Sequence, residues 1–178
     1  VIVCLGLDAT LEGEEGDTGN EFASGDKPDL NYPGLQNEIL KAAYESGKPV
    51  VLVSLTGSAM DLSWADEHIP AIVQAWYPGS RGGEAVARLL FGECSPEGKL
   101  PVTFYRSVEE LPEFTDYSMK GRTYRYMEQE ALYPFGYGLS YTEFSLSEPE
   151  ITVYEGDKVS ETGIIRKGTG MTVRTVIR

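Results

Sequence analysis

The chain has 178 residues and a net charge of −13, with 28 acidic against 15 basic side chains, and 41% of its residues are hydrophobic. This charge excludes nucleic acid as a partner, and also an anionic membrane surface, because both need a basic face on the protein. The apolar fraction is sufficient for a packed core, and no apolar run approaches the ~18 residues needed to span a bilayer.

The first part of the chain alternates apolar runs with amphipathic segments. The predicted elements are, in chain order, a strand at 1–7, a helix at 34–46, strands at 49–55 and 69–76, and a helix at 80–91. Apolar strands that alternate with helices indicate βαβ units. We therefore predict an α/β fold with a mostly parallel sheet that is flanked by helices and buried on both faces. The first helix should end at Gly47, since glycine is common just beyond a helix.

The middle of the chain is less regular. Residues 100–104 (LPVTF) predict a short edge strand, because Pro101 has no N–H to donate to a neighbouring strand. Residues 105–145 lose periodicity and gain aromatic side chains, which indicates an ordered, packed loop. We expect its tyrosines, like Trp64 and Trp76, to belong to the core, and stacking against a sugar is the alternative.

The last residues differ from those before them. Short alternating strands with acidic turns predict a second, all-β domain that is truncated, so the predicted domains are 1–146 and 147–178. Both ends of the chain fall within predicted strands. We therefore expect a piece of a longer polypeptide.

Cysteine and histidine are scarce. Cys4 and Cys94 cannot form a disulfide framework, and we interpret Cys4 as a small buried residue of the first strand. His68 is the single histidine, which argues against a zinc site and against a histidine-based catalytic triad. The scarcity of these residues therefore predicts no zinc site and no metal relay in this chain.

The loop at 8–33 is the leading candidate for a functional site. It leaves the carboxyl end of the first strand, where parallel sheets carry their chemistry, and at about 26 residues it far exceeds the usual two to six. Four carboxylates crowd into residues 12–17, and like charges held close raise the pKa of at least one, which favours a general acid. The alternatives are a solvated acidic loop and a calcium site, although the EF-hand pattern is not matched. The loop's acids are Asp8, Glu12, Glu14, Glu15, Asp17, Glu21, Asp26 and Asp29.

Two further motifs favour packing over chemistry. The glycine-rich stretch at 79–83 opens a predicted helix and could hold a phosphate, but it matches neither dinucleotide-binding nor Walker patterns. Ser58 lies in Gly-Ser-Ala and lacks the glycine spacing of a nucleophile elbow, so we do not predict it to be a nucleophile.

Several segments, taken together, resemble a known family. They are VIVCLGLDATLEGEEGD (1–17), LNYPGLQNEIL (30–40), GKPVVLVSLTGSAMDLSWA (47–65), AIVQAWYPGSRGGEAVARLLFGECSPEGKLPVTF (71–104) and YPFGYGLSYTEF (133–144). Their order and spacing resemble the C-terminal α/β-sandwich domain of glycoside hydrolase family 3, which includes β-glucosidases and β-xylosidases. The resemblance covers residues 1–146. The tail from 147 is similar to the beginning of the fibronectin type III-like domain that follows in many members.

The resemblance implies a retaining mechanism shared between two domains. An aspartate nucleophile sits on an N-terminal TIM-like barrel, which lies outside this chain, and a glutamate of the sandwich domain is the general acid/base. Alignment on Gly6-Leu7-Asp8 and Glu12-Gly13-Glu14 puts that glutamate at Glu14. Glu15 remains an alternative, because Glu-Glu-Gly stands where many members have a single glutamate before glycine, and Glu12 is a weaker one.

The resemblance also implies the substrate class. We expect an oligosaccharide or an aryl or alkyl β-glycoside, cleaved at its terminal non-reducing β-D-glycosyl residue, with no cofactor. The predicted activity is that of a β-glucosidase. The alternatives are a β-xylosidase or α-L-arabinofuranosidase of the same family, and a non-catalytic carbohydrate-binding or scaffold domain. No substrate-binding residue is assigned.

Overall fold

The chain divides into two compact units, Val1–Leu139 and Ser140–Arg178. A computed structural model describes residues 1–8, 11–12, 27, 29–113, 115–143, 145, 147–148, 150–155, 158–160, 163–165 and 169–174, and for residues 150–174 it describes the backbone alone. Every helix in these stretches is too short or too polar to cross a membrane.

The first unit is built on a three-stranded parallel sheet. Its strands, β1 (Ile2–Gly6), β2 (Val51–Leu55) and β3 (Ala71–Gln74), are ordered β1-β2-β3, with Val3 opposite Leu52 and Leu52 opposite Ile72. Each strand precedes a helix along the chain: α1 (Gln36–Glu45), α2 (Ser63–His68) and α3 (Gly82–Leu90). The predicted α/β fold with a parallel sheet is therefore confirmed, and α2 is an addition to it.

The central strand explains why the sheet forms. Leu52, Val53 and Ser54 are almost completely buried in β2, as its apolar run predicts. Leu52 and Val53 contribute to a core that also contains Met60, Leu62 and Phe104, and burial of such apolar side chains contributes about 1.5–3 kcal/mol each. At the end of α1, Gly47 has φ +69°, the left-handed conformation that favours glycine beyond a helix.

The first strand is buried on one face only. Val3 and Leu5 are buried, whereas Ile2 and Cys4 are exposed. The predictions that β1 is covered on both faces and that Cys4 is buried are therefore wrong for this chain. The physical reason is that β1 lies at the edge of the sheet with the packed core on one side, so alternate side chains point away from the core.

The predicted strand at 100–104 is not present as a strand. Phe104 makes one antiparallel bridge with Tyr133, and Leu100 N donates to Tyr137 O at 2.8 Å while Gly136 N donates to Leu100 O at 2.8 Å. The two segments lie side by side without a continuous ladder, because Pro101 has no N–H to contribute. A short 3-10 turn at Val108–Glu110 and the helix α4 (Thr123–Tyr126) interrupt the loop that follows.

The aromatic side chains are divided between core and surface. Trp64, Trp76 and Tyr133 pack against the buried core, as predicted. Five other tyrosines of this region are exposed, and for them the prediction is wrong: Tyr117, Tyr124, Tyr126, Tyr137 and Tyr141. Two pairs of rings stack: the exposed Tyr124 on Phe135 at 4.4 Å, and the exposed Tyr137 on the core-packed Tyr133 at 5.0 Å between ring centroids.

The second unit consists of strands wherever regular structure is described. β4 (Glu150–Glu155) pairs antiparallel with β7 (Thr169–Arg174), and β5 (Lys158–Ser160) pairs antiparallel with β6 (Gly163–Ile165). The predicted boundary after residue 146 and the fibronectin type III-like assignment of the tail stay predictions.

Candidate functional site

The candidate site lies where the three parallel strands end. Beyond β1, Leu7 N donates to Leu55 O at 3.0 Å, and beyond β3, Ala75 N donates to Ser54 O at 2.8 Å. The segments that leave the strands are therefore held side by side at the carboxyl edge of the sheet. In parallel sheets this is the edge where ligands and catalytic groups are found.

A side chain from α1 fixes the end of β1. Gly6 N donates to Gln36 Oε1 at 2.7 Å, and Gln36 Nε2 donates to Gly6 O at 2.9 Å. The amide thus takes the place of a neighbouring strand at this edge. A Cβ at Gly6 would lie 2.2 Å from Leu55 O, so glycine is required where β1 approaches β2 most closely. The acidic loop therefore departs from a fixed point.

Glu12 is bound by residues that follow the other two strands. Its Oε1 accepts a short hydrogen bond from Ser58 Oγ, and its Oε2 accepts from Gly57 N at 3.0 Å and from Tyr77 OH at 2.5 Å. Gly57 and Ser58 follow β2, and Tyr77 follows β3. We call these four residues the Glu12 clamp. It joins the start of the acidic loop to both neighbouring strand ends.

The clamp depends on the absence of a side chain at residue 57. A Cβ at Gly57 would lie 2.6 Å from Tyr77 Cε2 and 2.9 Å from Glu12 Oε2, distances that require neighbouring atoms to move. The buried Thr56 supports the same turn, since its Oγ1 donates to Ser58 O at 2.9 Å. The Thr56-Gly57-Ser58 sequence therefore presents one N–H and one hydroxyl in the same direction.

An unusual backbone conformation directs Tyr77 to the clamp. Trp76 has φ +56°, in the left-handed region that non-glycine residues seldom occupy, and such conformations cost about 1–3 kcal/mol. The indole packs edge-on against Phe104, with 6.2 Å between ring centroids. Core packing on Trp76 thus holds the bend that turns the next residue, Tyr77, toward Glu12.

The electrostatics of the clamp keep Glu12 ionised. Burial alone would raise the pKa of Glu12, but hydrogen bonds from Ser58, Tyr77 and Gly57 N and the charge of Lys27 outweigh it and lower the pKa. Burial and the hydrogen bond to the Glu12 carboxylate raise the pKa of Tyr77 to about 12, so its hydroxyl stays protonated and donating. Glu12 is therefore a bound anion, and its pKa moves away from the raised value that a general acid needs.

The far end of the acidic loop returns to the same segment. Lys27 Nζ donates to Ala59 O at 2.8 Å and contacts Met60 Sδ at 3.2 Å. Burial lowers the pKa of Lys27, while the charges of Glu12 and Asp29 act in the opposite direction. Residues 57–60 thus contact the loop at Glu12 and again at Lys27.

The structure describes one of the predicted acid/base candidates and not the other two. Glu14 and Glu15 lie outside the described residues, whereas Glu12, the weaker alternative, is described and is bound by the clamp. Ser58, which the sequence does not predict to be a nucleophile, donates its hydroxyl to Glu12. In the part of the chain that the structure describes, no group of side chains has the composition of a metal site.

The glycine-rich stretch at 79–83 is explained by packing. Gly79 has φ +70°, and a Cβ at Gly82 would lie 2.4 Å from Pro78 Cγ, so both glycines serve the tight turn before α3. Sequence reasoning did not assign roles to Tyr77, Gly57, Gln36 and Lys27. The available signal is weak: Tyr77 belongs to the Ala-Trp-Tyr-Pro-Gly segment, and Gly57 stands between a buried strand and Ser58.

Comparison with known sequences places the chain among glycosyl hydrolases of family 3. A family model described as the glycosyl hydrolase family 3 C-terminal domain matches residues 1–141. A xylan 1,4-beta-xylosidase of Xylanibacter ruminicola is 52% identical over 152 residues, covering 85% of this chain and 18% of that protein. A periplasmic beta-glucosidase of Salmonella typhimurium is 38% identical over 134 residues, covering 68% of this chain and 18% of that protein.

A solved structure supports the same relationship. A β-glucosidase from Erythrobacter marinus is 31% identical and superposes with a TM-score of 0.68, covering 99% of this chain and 27% of that protein. The chain spans about a fifth of the length of the curated relatives named above.

Proposed function

Because the chain belongs to the glycosyl hydrolase family 3 C-terminal domain family, we propose that it is part of a retaining β-glycosidase and supplies the general acid/base glutamate. The observation that carries the proposal is the family match over residues 1–141, which includes the whole acidic loop. Support comes from the geometry, since that loop leaves the carboxyl edge of a parallel sheet.

The chemistry requires two carboxyl groups with different roles. The acid protonates the glycosidic oxygen as it leaves, while an aspartate from the barrel, outside this chain, attacks the anomeric carbon. The same glutamate then removes a proton from the water that releases the sugar. Retention needs the two carboxyl groups about 5–5.5 Å apart, so the acidic loop has to reach the barrel.

Glu14 is the proposed acid/base, and Glu15 is the alternative. Glu12 is set aside for two reasons drawn from its surroundings. Both of its carboxylate oxygens already accept hydrogen bonds, from Ser58 on one side and from Gly57 and Tyr77 on the other. Its lowered pKa also disfavours the protonated form that donates to a leaving group.

The sugar is the finer part of the proposal. The sequence-based prediction is a β-glucosidase acting on terminal β-D-glucosyl residues. The relative with 52% identity is named a xylan 1,4-beta-xylosidase, which favours β-xylosides as the second candidate. Comparing kcat/KM on aryl β-glucosides and aryl β-xylosides, measured on the full-length gene product, distinguishes the two.

The acid/base assignment is tested by Glu14→Ala and Glu15→Ala in the full-length gene product. One variant should lose about 10²–10⁴-fold in turnover on a substrate with a poor leaving group. Azide should restore part of its turnover on an activated aryl glycoside, because the small anion enters the space left by the carboxylate. Glu97→Ala, at an exposed position, is the matched control. Full activity in both loop variants would contradict the proposal and favour a non-catalytic scaffold domain.

A further inference from the structure

We infer that Glu12 is a positioning residue: the Glu12 clamp holds the acidic loop so that the acid/base glutamate, two or three residues further on, is fixed relative to the sheet. The inference rests on the proposed function and deepens it. It concerns a residue that does not itself exchange a proton with substrate.

The distances along the chain explain why an anchor at this place matters. A chain segment spans at most about 3.5 Å per residue, so the two residues that follow Glu12 can carry the chain at most about 7 Å from its Cα. Counted from Leu7, which is held by Leu55 O, the same reach would be about 24 Å. The clamp therefore reduces by about threefold the radius within which the acid/base residue can lie.

The clamp also orients the loop, because its donors come from two directions. Ser58 and Gly57 N approach Glu12 from the end of β2, and Tyr77 approaches from the end of β3. A backbone turn precedes Glu12 along the chain, because Leu11 N and Glu12 N both donate to Asp8 O at 3.0 Å. Contacts from three sides fix both the position and the direction of the backbone at Glu12.

The expected effect is specific to acid catalysis. A displacement of about 1 Å at a catalytic group can cost about 10²-fold in rate. A misplaced acid matters most when the leaving group needs protonation and least when it leaves readily. Loss of the clamp should therefore lower kcat/KM, which reports the step that needs the acid, far more on poor leaving groups than on activated aryl glycosides. On activated aryl glycosides kcat also falls, because the same glutamate is the base of the second step.

The experiment uses Glu12→Ala, Glu12→Gln and Tyr77→Phe in the full-length gene product. On a poor leaving group we expect kcat/KM to fall about 10–100-fold for Glu12→Ala and about 3–10-fold for Tyr77→Phe, with Glu12→Gln between them because it keeps the side-chain length. On an activated aryl glycoside each loss in kcat/KM should be below about threefold. Tyr117→Phe and Glu97→Gln, both at exposed positions, are the matched controls.

Azide separates a positioning residue from the acid/base itself. A displaced acid/base carboxylate still repels azide, so Glu12→Ala should give neither rescue nor a glycosyl azide product. Rescue of Glu12→Ala, equal losses in kcat/KM on both leaving groups, or full activity in Glu12→Ala and Tyr77→Phe would each overturn the inference. Tyr77→Phe keeps the ring and removes one donor, so it reports on the clamp even where Glu12→Ala fails to fold. Normal activity of both Glu14→Ala and Glu15→Ala would instead overturn the proposed function.

Discussion

Replacing Gln36 by leucine should open the end of β1. The substitution removes two hydrogen bonds to Gly6, one donated by Gly6 N at 2.7 Å and one accepted by Gly6 O at 2.9 Å. A net value of about 0.5–1.5 kcal/mol for each bond gives about 1–3 kcal/mol. Both groups belong to an edge strand and are partly buried, so we take about 2 kcal/mol as the expected loss.

Hydrogen exchange at Gly6 measures this loss directly. At 1.4 kcal/mol per factor of ten, about 2 kcal/mol corresponds to exchange about 30-fold faster. Mass spectrometry of the full-length gene product follows the peptide that contains Gly6, with a peptide of β2 as the internal reference. Gln129→Leu, at an exposed position, is the matched control. A change below about threefold, or an equal change in the control, would refute the idea that Gln36 substitutes for a strand neighbour.

Two further predictions concern the Glu12 clamp. Gly57→Ala should break the clamp, because the new Cβ would lie 2.6 Å from Tyr77 Cε2. Gly83→Ala is the control: no atom lies within 4 Å of its Cβ, so it should be neutral or stabilising by about 0.5–1 kcal/mol. Thermal melting of both variants checks this, and an unchanged melting temperature for Gly57→Ala would count against the clamp geometry. The second concerns acid: since the pKa of Glu12 is lower in the folded chain than its ordinary value of 4.5, its contribution to stability is present above pH 4.5 and is lost as the pH falls through the folded pKa. The melting temperatures of the wild-type protein and Glu12→Gln should therefore differ most above pH 4.5 and converge in acid, and a gap that widened in acid would contradict it.

The parallel sheet could be predicted because its strands are short apolar runs between amphipathic segments. Residues 63–68 carry no apolar periodicity, so α2 was not predicted although its first turn packs Trp64 and Ala65 against the core. The exposure of Cys4 was also missed, since every residue from Val1 to Leu5 is apolar and such a run cannot reveal which face is covered. Apolar character predicts a strand, but the position of the strand within the sheet determines its burial.

The candidate site was also predictable only in part. The density of carboxylates marked the acidic loop, because clustered like charges are conspicuous in any sequence. The partners of Glu12 could not be predicted, since Gly57, Ser58 and Tyr77 are 45, 46 and 65 residues away along the chain. Tertiary folding alone brings these residues together, and a single sequence carries no direct signal of it.

The return of Lys27 to the segment that binds Glu12 has a consequence for protein engineering. Glu12 and Lys27, which lie on either side of residues 13–26 of the acidic loop, both bind to the four neighbouring residues 57–60. Loop closure depends only weakly on length, and each doubling costs about 0.6 kcal/mol. Segments of different length and composition can therefore be exchanged between Glu12 and Lys27 while the sheet below stays intact. The attachment of Glu12 and Lys27 to residues 57–60 is therefore a suitable place for grafting and selecting new loops.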